Sequence, residues 1–299
     1  LEKNYFRGLE NEIARDTEIQ CSRKYQHNKQ THGLDLLMNF NNPYMRCNQG
    51  IVVECKNRQM RSINQAELDK WLEELINAIE CAQSAPELQD FDMGNTMLNT
   101  GLLLIHANDS FNSELFNKYL CNLKVHSRRN PINVFIAGND EIDRWNSLRN
   151  KIEKDFTSEF QFIYPSIEGS NMELGNYLTI NQLYSKYIFA QDMKYIEKTE
   201  ASTSYKVPQV RKIMISFDEI SKGNFKYMWS MFKALQFQDA KELVFVFYPR
   251  KNSDVEFVKD NFINTLYQIQ QPITENIASR IKIEFIDNRS LSPVDMGGR

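Results

Sequence analysis

Asp35 and the run Ile51-Val52-Val53-Glu54-Cys55-Lys56 bring together two carboxylates and an ammonium group. That set of groups holds a hard divalent cation and a water against a phosphodiester. In an extended strand alternate side chains share a face, so Val52, Glu54 and Lys56 point one way and Ile51, Val53 and Cys55 the other. The face of Ile51, Val53 and Cys55 reads as core. A preceding strand, Leu34-Asp35-Leu36-Leu37, brings the second carboxylate alongside Glu54. Mg²⁺ uses one or two carboxylates plus waters and phosphate oxygens, and Asp35 and Glu54 meet that requirement. The Cys55 carbonyl offers a third oxygen at the strand end. Lys56 is placed to orient the attacking water or to hold charge gathering on the phosphoryl oxygens.

The elements that position these groups follow from periodicity. Phe6, Leu9 and Ile13 lie at helical spacing, which predicts a short amphipathic helix carrying Glu10 near its apolar stripe. Glu10 is then a candidate for a second metal or a metal-bound water. A polar stretch with His27, Lys29, Gln30 and His32 leads into Gly33 and the Asp35 strand. From Ile63 to Ala85, Leu68, Trp71, Leu72, Leu75, Ile76 and Ile79 form one stripe of a long helix that stops at Pro86, and residues 86–100 read as a loop.

Strands and helices then alternate. The expected elements are a strand at Leu102–Ile105, a helix from Ser110 or Asn112, a strand at Ile132–Ile136, a helix over Asp140–Lys154 and a strand at Phe160–Ile163. The polar stretch Glu197–Ser204 reads as the best linker or exposed loop, and Tyr177–Ile196 is ambiguous between helix and strand. Beyond it come strand Lys212–Phe217, helix Phe225–Phe237, strand Leu243–Phe247, helix Asp254–Gln270 and strand Ile281–Ile286. Short unbroken apolar strands between amphipathic helices predict an α/β protein with a buried sheet. The repeated βαβαβ order suggests two similar half-sheets, divided as residues 1–170 and 171–299.

Composition narrows the class. Of 299 residues, 41% are hydrophobic and 25% charged, which is globular rather than disordered. No apolar run reaches the roughly 20 residues that span a bilayer, and Leu1-Glu2-Lys3-Asn4-Tyr5 has no charged-then-apolar signal, so a soluble cytoplasmic protein is expected. Cys21, Cys47, Cys55, Cys81 and Cys121 are odd in number and form no C-x-x-C pair, so neither a disulfide framework nor a zinc site is indicated. Net charge is −3, which excludes a purely electrostatic DNA-coating protein. Residues 1–62 nevertheless carry a local +3. Within that excess Lys29, Arg58 and Arg61, joined by Gln65, are weak candidates for phosphate or base contact. His32 reads as a surface or hydrogen-bonded residue rather than part of the site. Gly138-Asn139-Asp140 reads as turn and cap chemistry, and the aromatic run Phe225–Phe232 as core or an oligomer interface.

A helix with Glu10, strands with Asp35 and Glu54-Cys55-Lys56, a long helix and a further strand resemble the PD-(D/E)xK, restriction-endonuclease-like nuclease superfamily. The resemblance covers roughly residues 1–140. It implies an αβββαβ core, Mg²⁺ (or Mn²⁺) held by Asp35 and Glu54, and Lys56 assisting attack of water on the phosphodiester. Two departures stand out: Leu34 precedes Asp35 where the family has proline, and cysteine separates acid from lysine. By the same resemblance the chain is expected to be a DNA endonuclease of prokaryotic anti-phage defence. It would act as a homodimer or in a multi-protein complex, away from membranes, with a C-terminal α/β domain for substrate, partner or signal recognition. Three alternatives stay open. The fold would serve as a non-catalytic scaffold; the C-terminal half would sense a nucleotide signal; or Glu54 and Lys56 would be a charge pair on an exposed edge strand.

Overall fold

In the computed structural model, residues 11–88, 91, 96–125, 128, 130–165, 172–200 and 203–287 are described. Glu10 and the start of its expected helix lie outside them. Contacts divide the chain into two compact units, one running to Asp143 and the other from Arg144.

The first unit is built on a five-stranded sheet of order β1-β2-β3-β4-β5. Strands β1 (Asn11–Gln20), β2 (Thr31–Asn42) and β3 (Cys47–Arg58) form an antiparallel meander, with the one-turn helix α1 (Lys24–His27) between the first two. Helix α2 (Gln65–Ala82) then crosses to β4 (Met97–Ala107), which runs parallel to β3. Helix α3 (Ser113–Cys121) leads to β5 (Asn133–Ala137), parallel to β4. The βββαβ succession is the restriction-endonuclease-like arrangement expected. Strand β4 starts at Met97, so the loop after Pro86 is shorter than its polar composition suggested.

The segment around Ile13 is strand, not helix, from Asn11 onward. Of the three residues whose spacing predicted the helix, Phe6 and Leu9 lie outside the described residues and Ile13 falls in a strand paired with β2, since propensity is a weak prior against tertiary context. Ala14 and Ile19 go into the core while Asp16, Glu18 and Gln20 face water.

Asn64 caps α2 by accepting the Glu67 N–H at 3.2 Å. The stripe of Leu68, Trp71, Leu75 and Ile79 packs on Leu37, Val52, Leu103 and Ile105. Gly101 of β4 permits this close approach, because a Cβ there would lie 2.6 Å from Ile79 Cδ1 and 3.0 Å from Leu75 Cδ2. Val52 is therefore core, and so are Ile51 and Val53 on the opposite face. This corrects the one-sided reading of β3. The face of Glu54 and Lys56 continues the side that α2 covers.

The second unit has a six-stranded sheet of order β11-β10-β9-β8-β6-β7. It takes up helix α4 (Asn139–Asp155) from Arg144 onward, β6 (Gln161–Tyr164), β7 (Glu173–Gly175), α5 (Ile180–Leu183), β8 (Tyr187–Glu200) and β9 (Thr203–Ser216). Then come α6 (Lys222–Ala234), β10 (Glu242–Phe247), α7 (Asn252–Tyr267), α8 (Glu275–Ala278) and β11 (Ile281–Phe285). Strands β9, β10 and β11 are parallel. Phe225, Trp229 and Phe232 of α6 pack with Phe245, Phe247 and Phe262, so these aromatics are core, while Tyr227 of the same run is exposed.

Three expectations change here. β6 pairs with β8, so the first βαβαβ run is split between two sheets and is not a half-sheet repeat; for the same reason the division falls at Asp143 rather than near residue 170. The ambiguous stretch Tyr177–Ile196 becomes α5 and the first part of β8. The supposed linker Glu197–Ser204 is the end of a long hairpin, with Glu200 opposite Thr203. Its residues look like loop because a ribbon exposed on both faces needs no apolar alternation: Tyr195, Ile196 and Tyr205 are all exposed. No helix among the described residues is long and apolar enough to cross a membrane.

Candidate active site

Strand β3 is held differently on its two sides. Toward β4 the pairing continues through Glu54↔Leu103 and Lys56↔Ile105 to Arg58↔Ala107. Toward β2 it runs from Asn42↔Cys47 and ends at Leu36↔Val53. Past that rung the Cys55 N–H donates to Asp35 Oδ2 at 2.6 Å, so a side chain replaces the ladder.

An irregularity in β1 and β2 sets up the divergence. Leu34 and Leu37 both enter the core under α2, although residues three apart on a regular strand face opposite ways. On β1 the same core takes Ala14 and Ile19, and between them Asp16 has φ 44°, the left-handed region. Asp16 and Asp35 fall between the same two rungs, Arg15↔Leu36 and Thr17↔Leu34. Such bulge-like breaks re-aim side chains, and here the break lies at the residue that reaches β3.

Asp35, Glu54 and Lys56 are brought together as the spacing predicted. Lys56 Nζ bonds directly to Glu54 Oε1, each side chain 15% exposed. Burial pushes the Glu54 carboxyl above its ordinary range; Lys56 works against this through its hydrogen bond and charge, while Asp35 and Glu74 add to it. Two acids that repel across a half-buried site suit a divalent cation, and oxygen donors fit Mg²⁺ or Mn²⁺. Burial, then the charges of Asp35 and Glu54, drive the Cys55 thiol up to about 12. Its side chain lies on the face opposite Glu54 and Lys56, which leaves the backbone carbonyl as the Cys55 oxygen nearest their side of the strand end.

The other sequence candidates separate. Lys29 pairs with Glu74 of α2 at 3.0 Å. Arg58 is exposed and bonds the Asn57 carbonyl at 3.1 Å; Arg61 is exposed as well. Gln65 bonds Asp69 at 3.2 Å on the helix surface. Glu74 is a site neighbour that the periodicity of α2 did not single out, because only packing decides which helical acid overlooks β3. His32 is hydrogen-bonded as expected, yet the expectation of no metal-type cluster is corrected. His32 is buried with Cys21, His27 and Cys81, whose ligand atoms all lie within 4.8 Å of one another. The available signal was Cys21, five residues, His27, four residues, His32; the fourth member is 60 positions from the first.

An antiparallel meander, a crossover helix and an acid pair with a lysine where two strands part are the arrangement of the PD-(D/E)xK nuclease superfamily. Residues 8–141, within the first unit, match the family described as the GAPS4 protein PD-(D/E)XK nuclease domain. Among curated proteins and solved structures nothing matches the chain.

Proposed function

We propose that the protein is a Mg²⁺-dependent nuclease, with Mn²⁺ as a substitute, that hydrolyses phosphodiester bonds in DNA. The observation that carries this reading is the Asp35 carboxylate fastened to the Cys55 N–H beside the Glu54–Lys56 pair. Asp35 and Glu54 would hold the cation, with the Cys55 carbonyl as a further donor. A cation bound there supplies a polarised phosphoryl oxygen and a bound water of lowered pKa. Lys56, with its ammonium at Glu54, donates to the water or to the phosphoryl oxygens as negative charge grows. Half-burial strengthens that donation, because a preorganised charge in a water-poor site costs no reorganisation during the reaction. Arg58 and Arg61, exposed beyond Lys56, would meet the substrate backbone. The family match supports prokaryotic anti-phage defence as the setting, in a homodimer or multi-protein complex, with the second unit recognising substrate, partner or signal.

Full-length protein with Mg²⁺ or Mn²⁺ should cut plasmid DNA. Lys56→Ala should lower the rate by at least about 10²-fold, the scale of losing one preorganised donor, with an unchanged circular dichroism spectrum. Metal-dependent cutting that survives both Glu54→Ala and Lys56→Ala overturns the assignment. Calorimetric titration of Mn²⁺ separates an enzyme from a scaffold, since a dead site shows no binding that Asp35→Asn removes.

A further inference from the structure

We propose that Cys21, His27, His32 and Cys81 form a closed tetrahedral site for one structural Zn²⁺, which fastens the connection between β1 and β2 to helix α2. The proposal is independent of the nuclease reading and uses none of its residues.

Distances carry it. Zn²⁺ binds thiolate sulfur at about 2.3 Å and imidazole nitrogen at about 2.0–2.1 Å in a tetrahedron, so ligand atoms stand about 3.8 Å apart for S···S, about 3.5 Å for S···N and about 3.3 Å for N···N. Cys21 Sγ and Cys81 Sγ are 3.7 Å apart. His27 Nδ1 lies 3.4 Å from Cys21 Sγ and 3.5 Å from Cys81 Sγ. From His27 Nδ1 to His32 Nε2 is 3.3 Å. Four edges of the tetrahedron thus have the required lengths. A disulfide, with sulfurs about 2.05 Å apart, matches neither the sulfur separation nor the two imidazoles aimed at the same point.

Hydrogen bonding alone does not account for this convergence. One ring nitrogen carries a single proton or a single lone pair, yet His27 Nδ1 has three N or S neighbours within 3.5 Å. A cation at the centre satisfies all four atoms at once. Two thiolates balance its charge, which matters where Cys21, His32 and Cys81 are buried and the His27 side chain is 3% exposed.

The surroundings are those of a metal-ligating histidine. His27 Nε2 lies 3.3 Å from Glu80 Oε2, and Arg23 holds the same carboxylate oxygen at 2.9 Å. A carboxylate on the far nitrogen fixes the tautomer that leaves Nδ1 free to ligate. The Arg23 backbone N–H bonds to the Cys21 sulfur, and Ser22 Oγ donates to Cys81 Sγ at 3.5 Å, two donors that metal-bound sulfurs would accept.

Four protein ligands leave no open position, so the ion is structural rather than catalytic. Its place in the chain explains what it would do. Of helix α1 the His27 side chain is sheltered while Lys24, Tyr25 and Gln26 are exposed, so the stretch from Cys21 to Gln30 has little apolar contact to hold it. Zinc would fix that stretch to α2 through Cys81, and would fix the start of β2 three residues before Asp35.

The test is metal analysis of full-length protein purified without chelators or immobilised metal. The expected result is one zinc per chain by mass spectrometry, with two sulfur and two nitrogen neighbours by X-ray absorption. The Asp35→Asn/Glu54→Gln variant should keep this zinc in full, whereas Cys81→Ser and His32→Ala should lose it. The wild-type protein provides a second measurement that does not depend on the fold of those variants. Stripping should lower its melting temperature, Zn²⁺ but not Mg²⁺ should restore it, and Co²⁺ should give the intense visible bands of a tetrahedral thiolate site. Folded protein that holds no zinc and gains no tetrahedral Co²⁺ spectrum overturns the proposal. So does a Cys21–Cys81 disulfide in the fresh protein, or zinc that stays bound in the Cys21→Ser/Cys81→Ser variant.

Discussion

Replacing Gly101 by alanine places a methyl group 2.6 Å from Ile79 Cδ1 and 3.0 Å from Leu75 Cδ2. Carbon atoms pack best at about 3.5–4.0 Å, so the first contact is too short by about 1 Å. Neither partner has room to withdraw, since Ile79 is 0% and Leu75 1% exposed. Helix α2 must therefore shift from β4, at a cost of about 1–3 kcal/mol, the usual range for overpacking a filled core. Ile79→Val removes the offending Cδ1 and by itself costs about 0.5–1.5 kcal/mol. In the double variant the new methyl occupies the space that Cδ1 vacated, although the Leu75 contact persists. The two changes should then couple favourably by about 1 kcal/mol, leaving the pair no less stable than Gly101→Ala alone. Urea unfolding followed by circular dichroism and by Trp71 fluorescence measures this, with each unit's transition fitted separately. A neutral Gly101→Ala, or effects that add within about 0.5 kcal/mol, would refute the close-packing argument.

In the second unit, Asp192 is buried, binds Arg211, and accepts from Thr157 Oγ1 at 2.5 Å. Asp192→Ala leaves the buried Arg211 with only the more distant Glu242 carboxylate, 3.7 Å away, and should cost about 3 kcal/mol in urea unfolding, while adding Arg211→Met should recover part of that. Asn64→Ala removes the α2 cap and should cost about 1 kcal/mol by the same measurement. Burial acts to raise the Asp218 carboxyl, but hydrogen bonds from Tyr187 and Lys186 outweigh it and hold its pKa below the ordinary value. A lowered folded-state pKa stabilises above the unfolded value and is lost as pH falls through the folded one. Tyr187→Phe should therefore destabilise by about 1 kcal/mol at neutral pH, after allowance for partial solvent screening, and the gap from wild type should close in acid. A gap that persists at low pH would count against the assignment of the Tyr187–Asp218 bond.

Residues that carry their own periodicity were legible without a structure. The stripe from Leu68 to Ile79 marks α2, and the unbroken apolar runs at Leu102–Ile105, Leu243–Phe247 and Ile281–Ile286 mark strands buried in sheets. The positions of Asp35 on β2 and of Glu54 and Lys56 on β3 could be read in the same way, because strand, turn and strand form a local hairpin. Residues whose state depends on distant partners were not legible. Ile13, the last residue of an expected helix, lies in a strand because β2 pairs with β1; the end of the β8–β9 hairpin is polar and is a ribbon because its two strands pair with each other.

The sequence by itself determined the acid, acid and lysine, the strands that carry them and the helix that follows, because each depends on neighbours a few residues away. Only the tertiary structure decided that β2 parts from β3 at Asp35, that Glu74 overlooks Glu54, that β6 joins the second sheet, and that Cys21, His27, His32 and Cys81 converge. Those facts depend on contacts between residues far apart in the chain, and side-chain spacing holds no record of them until the chain is folded.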